Sequence, residues 1–161
     1  MGQEVKRILL TRGEMLGRRM FECRLRAAIT FVKAQKAAGV SVKKFNAVIN
    51  GEHDVRADVF LAVVYGVNAK LVFTETEESS VIIKNEIADP GSDTALEALG
   101  NVIQVGRARL KLSQKRLAQL SGLSLFMLRK VELGQRPVEL SKILMLLRVL
   151  RLEMTVISRT N

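Results

Sequence analysis

The sequence is written twice. Shifting it by 83 positions lays Gly39–Val55 (GVSVKKFNAVINGEHDV) on Gly122–Val138 (GLSLFMLRKVELGQRPV) without a gap, which predicts two copies of one unit. The same shift pairs Leu16-Gly17 with Leu99-Gly100, Arg24 with Arg107, Arg26 with Arg109, Ser41 with Ser124, Val48 with Val131 and Gly51 with Gly134. Apolar positions agree in kind, with Phe45 on Leu128, Val63 on Leu146 and Val67 on Leu150. Whatever one half folds into, the other is expected to build again.

The second copy is the more legible. In Leu112–Pro137 (LSQKRLAQLSGLSLFMLRKVELGQRP), Ser113 can cap a short helix by accepting a backbone N–H from its first turn. Leu117 and Leu120 are expected to face inward from that helix. Gly122 breaks it where a left-handed residue is needed, and Ser124 caps a second helix whose Leu128 and Val131 point to the core. Gly134 and Pro137 end that helix, and Ala118 is small where the two helices would cross. Two short helices about a fixed glycine turn form a helix-turn-helix, the geometry that offers its second helix to a DNA major groove.

On Leu112, Ser113, Gln114, Leu117, Ala118, Gly122, Ser124, Leu128, Glu132 and Gly134 the chain resembles the Cro/repressor-type (XRE-like) helix-turn-helix family. The following run, ILMLLRVLRLEMTVIS, resembles the HipB antitoxin branch, in which a helix leads into a short strand used for dimerisation. The resemblance spans Leu99 to Ser158.

Carried over by the repeat, helices are expected near residues 16–28, 30–38, 41–50 and 56–65, with 3–11 as a separate amphipathic segment before them. Their counterparts fall near 95–110, 113–121, 124–133 and 138–150. AKLVFT (Ala69–Thr74) and EMTVIS (Glu153–Ser158) read as strands, and Val81–Lys84 as a short third one. The predicted class is therefore mainly α: two tandem helix-turn-helix domains of four to five helices, joined by a small β-sheet as a pseudo-dimer. Residues 1–74 form the divergent first domain, 75–94 an acidic linker and 95–161 the second domain with its closing strand.

Charge follows the same division. The chain carries a formal +10, concentrated in two basic blocks on either side of an acidic connector from Thr74 to Glu97. Two polyanion-facing units joined by a segment that stays off the polyanion would have this pattern, and nucleic acid is the commonest soluble polyanion. Aromatic residues make up only 4% of the chain and there is no Trp, which argues against stacking platforms for single strands or RNA. Cys23 and His53 are each the only residue of their type, so neither a disulfide nor a metal-ligand spacing can be drawn. No cofactor motif and no paired nucleophile and base occur, and an enzyme is not expected. Without a signal-like leader or an apolar run of about 18 residues, the sequence predicts a soluble cytoplasmic protein.

Family positions that meet base edges fall, in the second copy, on Leu125, Phe126, Arg129 and Lys130, with Ser113, Gln114 and Lys115 near phosphate and Ser124 as the cap. Leu125, Phe126 and Met127 offer only methyl contacts to DNA, so this face is a candidate for a protein contact as well. The first copy has Ser41, Val42, Lys43, Lys44, Asn46 and Ala47 there; lysine can donate to guanine and asparagine can pair with adenine. Arg18, Arg19, Arg24, Arg26, Arg107, Arg109, Lys111 and Arg116 are further candidates for phosphate. One irregularity stands out. Gln35 falls on Ala118, and a one-residue slip in the first turn would bring Ala34 to the crossing position instead.

The expected function is a sequence-specific transcriptional regulator that binds double-stranded DNA. The alternative is an antitoxin or antiactivator whose main act is to bind a protein partner, a toxin or a transcription component, through the second copy. Pairing with a second copy of the chain is a further option.

Overall fold

A computed structural model describes residues 2–76 and 85–159. The first half comprises α1 (Gln3–Arg26), α2 (Phe31–Ala38), α3 (Val42–Ile49), α4 (Ala57–Gly66) and β1 (Ala69–Glu75). After the short strand β2 (Asn85–Ile87), the second comprises α5 (Ala95–Arg109), α6 (Gln114–Ser121), α7 (Leu125–Glu132), α8 (Leu140–Val149) and β3 (Leu152–Ser158). The described chain is thus mainly helical, with one small antiparallel sheet.

The 83-residue shift holds to the residue: α2, α3, α4 and β1 map onto α6, α7, α8 and β3 at both ends. Backbone strain repeats as well. Ala28 and Lys111 both have φ 52, and Asn68 and Arg151 both have φ 57, left-handed angles that non-glycine residues adopt only when the surroundings dictate them. Thr30 and Ser113, and Ser41 and Ser124, each accept a backbone N–H from the third residue on.

The halves meet about a twofold axis. β1 and β3 pair antiparallel from Ala69 opposite Ser158 to Glu75 opposite Leu152, with Val72 opposite its own equivalent, Thr155. At the other end of α4 and α8, Arg56 bridges Glu139, again its own equivalent. There the Ala57 N–H donates to the Val138 carbonyl at 2.8 Å and the Leu140 N–H to the Val55 carbonyl at 2.7 Å, two bonds that the repeat interchanges. An axis through both self-equivalent pairs relates one half to the other. Pairing also satisfies β1 and β3 along edges that each would otherwise leave open. Beneath the sheet, Phe60, Leu61, Val64, Leu71 and Phe73 of the first half join Ile143, Leu146, Leu147 and Val156 of the second in one apolar core.

Several expectations are corrected. The segments expected at 3–11 and 16–28 are one 24-residue helix, Gln3–Arg26, and Ala28 is already left-handed beyond its end. Gly13 and Gly17 do not interrupt it; each lies where a Cβ would strike a backbone carbonyl, of Gly51 and of Ile49, so they permit α1 to cross the end of α3 closely. Gly100 does the same on α5 against Val131 and Glu132, which explains the repeated Leu-Gly pair. The proposed strand at Val81–Lys84 lies outside the described residues, and the third strand that is described, β2, begins at Asn85 and pairs with β1. No slip occurs in the first turn, since Ala34 and Leu117 are equivalent and both fully buried. Gln35 remains half-buried and donates to the Val40 carbonyl. The close crossing has moved instead to α2 against α4, where a Cβ on Gly66 would meet Ala34 and Ala38.

Candidate nucleic-acid interface

Helices α3 and α7 each follow a glycine turn, Gly39 at φ 64 and Gly122 at φ 69, and each begins on a serine cap. Only one side of each helix is committed to the core: Phe45 and Val48 on α3, Leu128 and Val131 on α7. The opposite sides face solvent.

On α3 that side presents Lys43, Lys44 and Asn46, all exposed and with no side-chain hydrogen bond or ion pair among the described residues. Ser41 is exposed, and its hydroxyl accepts the Lys44 N–H at 3.4 Å. Exposed Lys33 and Lys36 on α2, which lie outside the base-reading positions of the helix-turn-helix pattern, add to the positive field. From Arg24 to Gly51 there is no carboxylate at all.

The second face is more highly organised. Glu132, only 3% exposed, accepts from Arg107 Nε at 2.6 Å and Nη2 at 3.3 Å and from Gln114 Nε2 at 2.6 Å. Gln114 in turn accepts from Arg129 Nε at 3.3 Å, and Arg129 as a whole remains exposed. Gln114, expected near phosphate, is therefore turned largely inward. Lys130 is half-buried and donates to Gln135 at 2.8 Å, with its ammonium 5.8 Å from the Phe126 ring centroid. Ser113 and Ser124 spend their hydroxyls on the Arg116 and Met127 N–H groups, each at 3.1 Å. Lys115, Arg116, Arg129, Arg136 and Lys142 are exposed. Since the Arg107 guanidinium pairs with the Glu132 carboxylate, the sole one between Ser113 and Arg136, every exposed charge on this helix pair is positive.

Two sequence-based expectations about this face change. Phe126 is 61% exposed, but Leu125 and Met127 are only half-exposed, Met127 against the core, so no run of three free apolar residues exists; Leu120, expected inward, is 43% exposed. Arg107 and Arg109 are not surface cations waiting for phosphate. Arg107 is held by Glu132, and Arg109 pairs with Glu75 and donates to the Leu150 carbonyl at 2.6 Å. Arg24 differs from both: it donates to the Ile29 carbonyl at 3.0 Å but has no carboxylate partner among the described residues. Arg18, Arg19, Arg26 and Lys111 do remain exposed.

At the axis itself Arg56 is exposed, its guanidinium bidentate with Asp58 at 3.0 and 2.8 Å, and this hydrogen-bonded pairing pushes its pKa still higher. Among the described residues no helix is long and apolar enough to cross a membrane. Compared with family models, curated proteins and solved structures, the chain matches none of them.

Proposed function

We propose that this chain is a sequence-specific transcriptional regulator that binds double-stranded DNA through two tandem helix-turn-helix domains of the Cro/repressor type, residues 1–74 and 95–161, acting as a pseudo-dimer within one polypeptide. The observation that carries the reading is a pair of serine-capped, solvent-facing helices related by an internal twofold axis, on helix pairs whose exposed charges are all positive. Regulators of this kind commonly need two recognition helices because one reads too few base pairs, and a twofold axis sets the second helix one turn of DNA away. Here the symmetric partner is the other half of the same chain.

In this reading Lys43 and Asn46 meet base edges in one half-site and Arg129 in the other, with Phe126 against a thymine methyl. Lys33, Lys44, Lys115 and Arg116 lie along phosphate, where they set affinity and register without reading sequence. Because the two helices carry different side chains, the half-sites differ and the operator need not be palindromic. β2, which carries Glu86, pairs with β1 on the sheet side of the axis, opposite the Arg56–Glu139 end.

The test is a gel shift on the protein's own upstream region across a salt series. With about six phosphates neutralised, affinity should fall roughly a thousandfold between about 50 and 200 mM salt, by counterion release. A dissociation constant that stays flat over that range rejects DNA as the ligand.

A further inference from the structure

The repeat supplies an internal control for surface composition, and at one place the halves diverge sharply. Where the second half has Gln104, Ala108, Gln114 and Lys115, the first has Phe21, Leu25, Phe31 and Val32. All four are open to solvent, at 45%, 55%, 37% and 57%. The buried acid is replaced too, with Ile49 standing at the position of Glu132. In the second half Gln104 and Gln114 both reach Glu132, one its carbonyl and one its carboxylate. The repeat puts their equivalents Phe21 and Phe31 at the places that face Ile49, with Leu25 one turn after Phe21 on α1 and Val32 next to Phe31 on α2. Phe31 is set on edge against Phe45, with ring centroids 4.9 Å apart, which holds it in place.

The fold does not require this apolar surface, because the second half builds the same elements with two glutamines, a lysine and a small alanine there. Contiguous exposed apolar side chains of this kind mark a protein contact. The rim states the partner's charge. Arg24 lies over the Phe21 ring at 5.1 Å, Arg18 is one turn before Phe21, and Lys33 and Lys36 flank Val32 on α2. Against these stands Glu22, already beside Arg19 at 3.9 Å. We infer that the α1–α2 face of the first half, formed by Phe21, Leu25, Phe31 and Val32, docks an acidic amphipathic helix of another protein. Its apolar side chains would cover the patch while its carboxylates meet Arg18, Arg24 and Lys36, the helix-in-groove mode of recognition. DNA suits this face poorly, since it has little to set against four apolar side chains beyond thymine methyls.

The test uses the full chain without DNA, so its result is independent of the DNA-binding reading. The probe is a fluorescein-labelled synthetic helix with Leu at i, i+3, i+4 and i+7 and Glu on its other face; the control is the same composition scrambled. The expected result is binding of the amphipathic peptide at least tenfold tighter than the scrambled one. Amide chemical-shift changes should concentrate at Phe21, Leu25 and Val32 and be absent at Gln104, Ala108 and Lys115. Phe21→Gln with Leu25→Ala, the residues the second half carries there, should weaken binding at least tenfold with thermal unfolding unchanged. Arg18→Glu with Lys36→Glu, which alters no buried side chain, should do the same. Equal binding of the scrambled peptide, or shifts spread over both halves, would overturn the proposal. Sedimentation showing a dimer that Phe21→Gln with Leu25→Ala makes monomeric would assign the face to a second copy instead. Anionic phosphatidylglycerol vesicles bound through these residues, with the peptide unaffected by their substitution, would assign it to a lipid surface.

Discussion

Replacing Glu132 by alanine should remove about 3 kcal/mol of folding stability, and the repeat predicts how to restore it. The carboxylate is 3% exposed and neutralises Arg107, whose side chain is 20% exposed, while it also accepts from Gln114. Removing one member of a buried pair costs about 3–5 kcal/mol, because the other charge is left without compensation. The lower end applies here, since Arg107 keeps its 3.0 Å bond to the Leu112 carbonyl and some access to water. For a chain of this size that corresponds to a fall in Tm of roughly 6–12 °C. The first half has no ion pair at this place: Ile49 stands for Glu132, and Arg24, at the position of Arg107, donates to the Ile29 carbonyl at 3.0 Å and lies 5.1 Å from the centroid of the Phe21 ring. The triple variant Gln104→Phe, Gln114→Phe, Glu132→Ile, which gives Arg107 the surroundings that Arg24 has, should therefore unfold within about 1 kcal/mol of the parent, whereas Glu132→Ala alone does not. Urea unfolding followed by circular dichroism gives both values, with unchanged m confirming that the denatured state is comparable. If Glu132→Ala costs under about 1 kcal/mol, or the triple variant is as unstable as the single one, the pair is not what holds this corner together.

Glycines of the same backbone type should respond differently to alanine. Gly122→Ala, with open space around its Cβ, should cost about 1 kcal/mol for its left-handed angle, whereas Gly134→Ala, at φ 66 and with its Cβ 2.5 Å from the Glu97 nitrogen, should cost several times that in the same urea assay. Lys43→Ala and Asn46→Ala should each weaken operator binding by about 1–3 kcal/mol in a gel shift; if both are silent while Phe126→Ala abolishes binding, the first half does not read bases. Burial pushes the Cys23 thiol up. Iodoacetamide at about pH 8 should modify it only as fast as the chain opens, and the stability linked to its burial should be complete below about pH 8.5 and decline as pH rises toward the folded value. Rapid alkylation of the native protein would show that α1 does not cover it.

Much of the architecture was legible locally. The 83-residue repeat, the serine caps, the glycine turns and the strands Ala69–Thr74 and Glu153–Ser158 were read from short-range rules, and the described elements follow them to within a residue or two. Caps and left-handed turns are satisfied within four or five residues, so their determinants lie inside the segment that contains them. The pairing of β1 with β3 was also anticipated, because two lone edge strands in equivalent positions have open backbone groups to share.

Long-range contacts decided the rest. Gly13 and Gly17 resemble helix breaks, yet α1 runs through them because the end of α3 approaches too closely for any side chain. Arg107 and Arg109 looked like free cations until Glu132 and Glu75, 25 and 34 positions away, neutralised them. Exposure along α7 depended on which turn meets the core, leaving Phe126 out and drawing Met127 in. The sequence by itself determined that one unit is built twice and where the short capped helices α2, α3, α6 and α7 start and stop, since those are properties of neighbouring residues. Only the tertiary structure decided which of the two copies' charges remain on the surface and that a twofold axis runs through Val72–Thr155 and Arg56–Glu139, because both depend on which side chains meet across the repeat.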